Sequence, residues 1–244
     1  MDQISAIAAS GLRARMESLD MLANNIANAS TTGYKGDGEF YTLFTSEAAK
    51  EDISDIPNST LPMIQRPWTD FSQGTLEPTN NPLDMGLSGK GFFVIQAPSG
   101  PLYTRNGSFQ MSSNGTLTTY DGYSVTGRDG KPIKGDPKLP IEVTLDGGIR
   151  QNGQLLGDLK LVEFKDPSGL IKQGNNYFRS DGTGIAVNAT GAQVHQGKVE
   201  ASNVSASQAA VHLVSVMRQF EMMQKAVSIS GDMSKKAIEE VARV

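Results

Sequence analysis

The spacing of apolar residues changes twice along this chain, and this change constrains the fold more than any other feature. Near the start, apolar residues recur in steps of three and four, at Ala9, Leu12, Met16, Leu19, Ala23 and Ile26. The same spacing returns near the end, at Leu213, Val216, Phe220, Met223 and Val227. Such steps place residues on one face of an α-helix. Both ends of the chain are therefore predicted to be amphipathic helices.

The limits of these helices follow from local signals. The first is expected to end at Thr32-Gly33, because glycine commonly follows the last helical residue. The second is expected from about Ser202 to Arg243, with a bend at Gly231. A helix as short as the first is marginal alone in water and needs a partner. Two arrangements fit: the helices pack on a core, or the two chain ends form a coiled coil.

Between the helices, short apolar runs alternate with turn-forming residues. Seven pairs of the kind that supplies positive φ angles to tight hairpins are present: Asn106-Gly107, Asn114-Gly115, Asp121-Gly122, Asp129-Gly130, Asp146-Gly147, Asn152-Gly153 and Asp181-Gly182. Residues 91–198 are thus predicted to form an antiparallel β domain, a barrel or a sandwich-like sheet. The region before it carries Pro57, Pro62, Pro67 and Pro78 and is predicted to be an extended connector with a few strand pairings.

The predicted fold class is α+β, with terminal amphipathic helices forming a coiled-coil layer and a central antiparallel β domain of short strands. The predicted division is an N-terminal helix over 1–35, a connector over 36–84, the β domain over 85–199 and a C-terminal helix over 200–244.

Patterns that carry catalysis or metal binding are missing from the sequence. There is no cysteine, which excludes disulfides, thiol catalysis and Cys-ligated zinc. His195 and His212 do not have the spacing of a metal-binding pair. The segment GLSGKGF, residues 86–92, lacks the Ser or Thr that follows the lysine of a phosphate-binding loop, and is predicted to be a turn before a buried strand. No catalytic residue, metal, cofactor or small-molecule substrate is therefore predicted.

Charge and hydropathy limit the kinds of partner that the protein is expected to bind. The net charge is −4 and no long basic block occurs, which argues against nucleic acid as a partner. No run of about 18 apolar residues exists, so no membrane span is expected. The opening MDQISAIAAS lacks the basic and apolar parts of a secretory signal. If the protein leaves the cell, it is expected to do so without a cleaved signal peptide.

Four segments carry a resemblance to a known family. The segment LANNIANASTTGYK, residues 22–35, resembles a motif shared by bacterial flagellar rod and hook proteins, with matches at Ala23, Asn24, Asn25, Ile26, Ala27, Asn28, Thr32, Gly33, Tyr34 and Lys35. Residues 81–95, 103–125 and 199–227 resemble further blocks of this family in the same order. The last block contains a Glu-x-Ser-Asn-Val segment and an Arg-x-Phe-Glu element, at Glu200, Ser202, Asn203, Val204, Arg218, Phe220 and Glu221.

The resemblance also narrows the type of family member. The length and residues 72–94 favour a rod protein over the longer hook protein, with the proximal-rod type first and the distal-rod type as the alternative. The family usually has Ala-Ile after the Asp of its Asn-Pro-Leu-Asp motif, whereas Met85-Gly86-Leu87 follows Asp84 here. A looser strand start is expected at that point.

The resemblance implies a structural subunit of the flagellar basal-body rod and not an enzyme. Members assemble with themselves and other rod subunits into a helical tube that crosses the periplasm, transmits motor torque and conducts exported proteins. They leave the cytosol through the flagellar type III export apparatus without a cleaved signal. The terminal helices form the inner tube, and the β domain faces outward.

Candidate assembly residues follow from the resemblance and the apolar spacing. They are Leu12, Met16, Leu19, Ala23, Asn24, Asn25, Ile26, Asn28, Thr32, Gly33, Tyr34, Glu200, Ser202, Asn203, Val204, Leu213, Met217, Arg218, Phe220 and Glu221. The three asparagine amides are expected to bond to the next subunit, the alternative being a helix cap within one subunit. Both helices are expected to be loose in the monomer and to order on assembly.

Two functions of other classes stay open. A secreted cell-wall hydrolase would need two carboxylates converging in a groove. A secreted adhesin would bind an external ligand through the β domain.

Overall fold

A computed structural model of the chain describes residues 3–39, 41–45, 60–64, 68–174 and 176–241. Helix α1 covers Gln3–Ala27 and helix α2 covers Ala206–Val241. Between them lie short strands joined by antiparallel ladders. The α+β class, the two terminal helices and the antiparallel β region are thus confirmed.

The strands are two to six residues long. In chain order they are β1 (Asp37–Gly38), β2 (Tyr41–Thr45), β3 (Thr60–Ile64), β4 (Trp68–Thr69), β5 (Leu76–Pro78), β6 (Met85–Ser88), β7 (Phe92–Ala97), β8 (Gly100–Thr104), β9 (Phe109–Met111), β10 (Leu117–Thr119), β11 (Ser124–Val125), β12 (Glu142–Val143), β13 (Gly148–Gln151), β14 (Gln154–Asp158), β15 (Leu161–Phe164), β16 (Leu170–Lys172), β17 (Tyr177–Ser180), β18 (Ala186–Asn188), β19 (Gln193–Gln196) and β20 (Lys198–Glu200). A short 3-10 helix, Pro167–Gly169, precedes β16.

The chain divides into two compact units. The helical unit comprises Met1–Ala27, Asp37–Trp68 and Ser205–Val244, and the β unit comprises Asn28–Gly36 and Thr69–Val204. Within the helical unit, β2 pairs with β3 from Tyr41↔Ile64 to Thr45↔Thr60. Pro57 and Pro67 of the expected connector lie outside the described residues. The four-part division expected from the sequence stays a prediction.

A stripe of mostly small residues forms the buried face of α1. Its members are Gly11, Ala14, Ser18, Leu22 and Asn25. A β-carbon placed on Gly11 would lie 3.5 Å from the sulfur of Met223, so the two helices approach closely there. The side chains at a crossing set the distance between helices, and small ones permit a short distance.

The predicted stripe of α1 is a different face. Met16 is 55% exposed, Ala23 is exposed, and Leu12, Leu19 and Ile26 are only half-buried. At ~100° per residue, this stripe lies roughly 130° around the helix from the buried one. On α2 the predicted stripe is the more buried face, with Val216 1% exposed and Leu213, Phe220, Met223 and Val227 half-buried.

Both helices differ at their ends from the sequence expectation. α1 ends at Ala27, five residues before Thr32, because a turn begins at Asn28. There the Thr31 N–H donates to the Asn28 carbonyl oxygen (3.0 Å), and the Thr31 hydroxyl donates to the Asn28 side-chain oxygen (3.2 Å). α2 begins after Ser205, whose carbonyl accepts the N–H of Ala209 at 2.9 Å. It stays helical through Gly231.

Strand β7 is the centre of the β unit because both of its faces are buried. Alternate side chains of a strand point to opposite faces. Phe93 and Ile95 join a cluster that includes Phe109, while Phe92 and Val94 join a second cluster on the other face. The main sheet runs in the order β16-β17-β8-β7-β11-β10-β9, with β15 also on β7 and β18 on β15.

The predicted turn pairs behave as expected in all but one case. The glycine has a positive φ in six of the seven pairs, at 115, 122, 130, 147, 153 and 182. Gly107 is the exception: a β-carbon there would lie 1.8 Å from the carbonyl oxygen of Met85. The expected loose strand start is wrong, because Met85 is fully buried and its N–H donates to the Gly107 carbonyl at 2.9 Å.

Candidate functional site

Three charged side chains are buried where the chain leaves α1 and where it returns to α2. Lys35, Arg105 and Glu200 are exposed by only 1%, 3% and 1%. The Lys35 ammonium donates to Oε1 of Glu200 at 2.5 Å, and Arg105 Nη1 donates to Oε2 at 3.1 Å. Each carboxylate oxygen thus has its own cation, and charge-assisted bonds of this kind are strong. We call these three residues the junction cluster.

Backbone groups complete the junction cluster. Lys35 also donates to the Ser72 carbonyl at 2.5 Å, and Glu200 Oε1 accepts the Gly74 N–H at 2.9 Å. Arg105 Nη2 donates to the Gly89 carbonyl at 2.7 Å. Burial lowers the pKa of both Lys35 and Arg105, and the charge of Glu200 opposes this shift.

The motif segments on either side of the cluster lie next to each other. The Gly33 N–H donates to the Glu200 carbonyl at 2.7 Å, and the Asn203 N–H donates to the Tyr34 carbonyl at 3.4 Å. The Asn203 side chain accepts the Gly36 N–H at 2.8 Å and donates to the Asp70 carbonyl at 2.7 Å. Two segments more than 160 residues apart in sequence are therefore fixed at one place in the β unit.

Gly33 is needed for this arrangement. Its φ is +68°, and a β-carbon there would lie 2.4 Å from the backbone nitrogen of Asn106. We predict that Gly33→Ala lowers the free energy of unfolding by roughly 3 kcal/mol or more, through backbone strain and the clash together. Gly130→Ala is the matched control, because Gly130 has a φ of +79° and open space around it.

Urea unfolding of both variants separates the two causes. Gly130→Ala is expected to cost only ~1 kcal/mol, the ordinary penalty of the left-handed region. An equal loss in the two variants would contradict the close packing around Gly33.

Two of the three asparagines of the first motif, Asn25 and Asn28, make hydrogen bonds within the chain. Asn25 is buried; its amide donates to the Asp37 carbonyl at 2.7 Å and accepts the Asp37 N–H at 3.0 Å. Asn28 holds the turn after α1, and Asn24 is exposed on α1. A bond from Asn25 to another subunit would therefore have to replace bonds already made. An intersubunit role for these amides stays a prediction.

The structure brings together only some of the predicted residues. Thr32, Gly33, Tyr34, Glu200, Ser202, Asn203 and Val204 lie in the β unit near the junction cluster, whereas Met217, Arg218 and Glu221 are exposed on α2. Sequence reasoning missed Arg105 and Lys172. Lys172 donates to the Lys35 carbonyl at 2.6 Å and lies 4.6 Å from the ring centre of Tyr34. Arg105 does follow Thr104 in the third motif block, which was the available signal.

A second apolar face on α2 is exposed. It consists of Val211 (72% exposed), Met222 (63%), Ile229 (51%) and Met233 (67%). At ~100° per residue these four lie within about 40° of one another and roughly 145° from the buried face. We call them the α2 outer stripe. A helix that is apolar on two faces needs neighbours on both.

The described ranges contain neither a metal-binding cluster nor a membrane-spanning helix. Among those residues, no group of three or more His, Cys, Asp or Glu side chains could hold a metal ion. No helix there is long and apolar enough to cross a membrane.

Comparisons with known proteins cover both units. Residues 6–35 match the family described as flagella basal body rod protein, residues 86–155 the flagellar hook protein FlgE/F/G D1 domain, and residues 195–240 the flagellar basal body rod FlgEFG protein C-terminal. All three residues of the junction cluster fall in these ranges, with Lys35 in the first, Arg105 in the second and Glu200 in the third. The third range also covers α2 except for its last residue, Val241.

Whole-chain relatives show the same likeness. A flagellar basal-body rod protein FlgF of Caulobacter vibrioides is 34% identical over 227 residues, covering 93% of this chain and 92% of the relative. FlgF of Mesorhizobium japonicum is 31% identical, with 93% and 94% covered. FlgG of Buchnera aphidicola is 32% identical, with 94% and 96% covered.

Proposed function

This chain belongs to the family of flagellar basal-body rod proteins, which are structural subunits of the rod, and we propose that it is a FlgF-type subunit that assembles through its terminal helices. The single observation that carries the proposal is the α2 outer stripe, an apolar surface that stays mostly exposed among the described residues. The FlgF type is supported by the 34% identity to a FlgF over nearly the full length. The FlgG type is the alternative, because a FlgG is 32% identical.

In the proposed assembly, neighbouring subunits cover the α2 outer stripe and the exposed stripe of α1 around Met16 and Ala23. Each large apolar side chain removed from water contributes about 1.5–3 kcal/mol. Contacts between unlike surfaces that do not close into a ring generate a helical filament. The coiled-coil layer expected from the sequence is thus proposed as a feature of the assembled rod. The remaining candidate residues on α2, Met217, Arg218 and Glu221, are exposed but do not belong to the α2 outer stripe, and their role in assembly stays a prediction.

The junction cluster has a mechanical role in this proposal. The chain runs from α1 into the segment around Lys35 and enters α2 just after the segment around Glu200. Because the ion pair and the backbone bonds hold these two segments together, a torque on either helix reaches the β unit at one fixed place. The net contribution of a buried ion pair to stability is small. Its value here is that its directional bonds fix the two segments relative to each other.

Export and location are also part of the proposal. We place the subunit in the basal body within the periplasmic space, delivered by the flagellar type III export apparatus. Loose terminal helices in the monomer would prevent early polymerisation and would favour passage through a narrow channel.

Limited trypsin digestion of the monomer tests the loose-helix prediction. Cleavage is expected first at Arg13, Arg15, Arg218 and Lys225, and later at the exposed Arg128 of the β unit. Lys35 is fully buried in the junction cluster and is expected to resist. Mass spectrometry identifies the fragments. Resistance of the helix sites to the same degree as Arg128 would show that the helices are already ordered.

Gene deletion in the source bacterium tests the function itself. We expect loss of motility and basal bodies that lack a complete rod on electron micrographs, both restored by the wild-type chain. A dye-release assay on labelled cell wall tests the hydrolase alternative. If the protein were an adhesin, deleting its gene would leave the basal bodies intact. Intact basal bodies in the deletion strain would overturn the proposal.

A further inference from the structure

The sequence contains three Asn-Gly pairs, and their surroundings in the β unit differ sharply. In such a pair, the glycine nitrogen can attack the asparagine side-chain carbonyl, because glycine has no side chain to obstruct the approach. The nitrogen loses its proton, ammonia leaves, and a five-membered succinimide forms. Water then opens the ring at either carbonyl and gives aspartate or isoaspartate. No other reactant is needed.

Two of the pairs are held away from this reaction. The side-chain oxygen of Asn106 accepts the Ser108 N–H at 3.0 Å and the Thr32 hydroxyl at 3.1 Å, and Gly107 is buried. In the second pair, the attacking N–H of Gly115 donates to the Ser112 carbonyl at 2.8 Å. The side-chain oxygen of Asn114 also accepts the Thr116 N–H at 3.1 Å.

The third pair has none of these restraints. Asn152 and Gly153 are exposed and form the two-residue loop between β13 and β14, where Gln151 pairs with Gln154. Among the described residues, neither the Asn152 side chain nor the Gly153 N–H has a hydrogen-bond partner. No heavy atom beyond the chain neighbours lies within 4 Å of a β-carbon placed on Gly153.

From this contrast we propose that Asn152 is a site of spontaneous deamidation, with Asn106 and Asn114 protected by the fold. The reaction adds one negative charge to the loop. Isoaspartate also adds one carbon to the backbone of a tight turn, in which Asn152 has a φ of 50°. The change lies directly beside Gln151, whose buried amide donates to the Asp136 and Leu139 carbonyls at 2.7 and 2.9 Å. Deamidation is thus expected to loosen the β13–β14 hairpin as the protein ages.

Peptide mapping of the full chain after prolonged incubation at mildly alkaline pH tests the proposal. Trypsin yields the peptide 151–160, which contains Asn152, and the peptide 106–128, which contains both other pairs. Fragmentation locates each amide-to-carboxyl conversion. Because each restraining hydrogen bond slows the reaction by about tenfold, conversion at Asn152 is expected to be at least ~10-fold faster than at Asn106 or Asn114.

The same incubation in concentrated urea is the control. All three pairs are chemically alike when unfolded, so the three rates are expected to converge. An Asn152→Gln variant is expected to lose most conversion at this position, because the longer side chain would have to close a six-membered ring, which forms much more slowly. Equal rates in the folded chain, or faster conversion at Asn106 or Asn114, would overturn the proposal.

Discussion

Replacing Glu200 with alanine is expected to lower the free energy of unfolding by about 3–5 kcal/mol, because two buried cations lose their counter-charge. Lys35 and Arg105 are each exposed by 3% or less, so water cannot replace the lost carboxylate as their partner. The Gly74 N–H loses its acceptor as well. Urea unfolding of the purified chain measures the loss.

Two further variants show that the loss comes from unpaired charge. Glu17→Gln removes a carboxylate that pairs with Arg13 at 3.1 Å on the exposed surface of α1, and is expected to cost no more than ~0.5 kcal/mol. Replacing Lys35, Arg105 and Glu200 together with methionine is expected to recover most of the stability lost in Glu200→Ala. A Glu200→Ala variant as stable as Glu17→Gln would contradict a buried ion cluster.

Replacing Met222 and Met233 with glutamate is expected to abolish rod assembly without unfolding the monomer. Both side chains are mostly exposed in the single chain, so glutamate costs little there. In the proposed rod both would be covered. Burying two charges in place of two apolar groups would raise the concentration needed for assembly by a factor of ~100 or more.

The matched control places the same charge on another face of α2, more than ~100° around the helix from the α2 outer stripe. Gln224 and Ser228 are exposed on α2 but lie outside the α2 outer stripe. Gln224→Glu with Ser228→Glu is expected to assemble almost as well as the wild type. Motility of the complemented deletion strain and basal-body electron microscopy give the readout. Equal assembly by both double variants would show that the α2 outer stripe is not part of the interface.

The spacing of large apolar residues predicted the two helices and the buried face of α2, but it did not predict the buried face of α1. Gly11, Ala14 and Ser18 form most of that face. A search for regularly spaced large apolar residues does not detect small or polar residues. Their contribution is to let α1 approach Met223 closely. The end of α1 was missed for a similar reason, because side-chain bonds at Asn28 start a turn that helix propensity does not register.

The junction cluster could not be predicted from the sequence, for a different reason. The family resemblance marked Lys35 and Glu200, each in its own motif, but a separation of 165 residues hides their contact from any local pattern. Arg105 completes the cluster and lies in a third motif block. The β5–β20 ladder places Glu200 opposite Leu76, beside the chain before β5. There Gly74 bonds to Glu200 and Ser72 bonds to Lys35, contacts that no local sequence pattern shows.

Thiol labelling of assembled rods tests the central claim most directly. The chain has no cysteine, so Met222→Cys introduces the only thiol. Lys131→Cys, at an exposed turn of the β unit, is the reference. If α2 assembles as proposed, a maleimide labels Cys at 222 rapidly in the free subunit and slowly in isolated rods, while the reference position labels at a similar rate in both. Equally fast labelling at position 222 in rods and in the free subunit would contradict assembly through the α2 outer stripe.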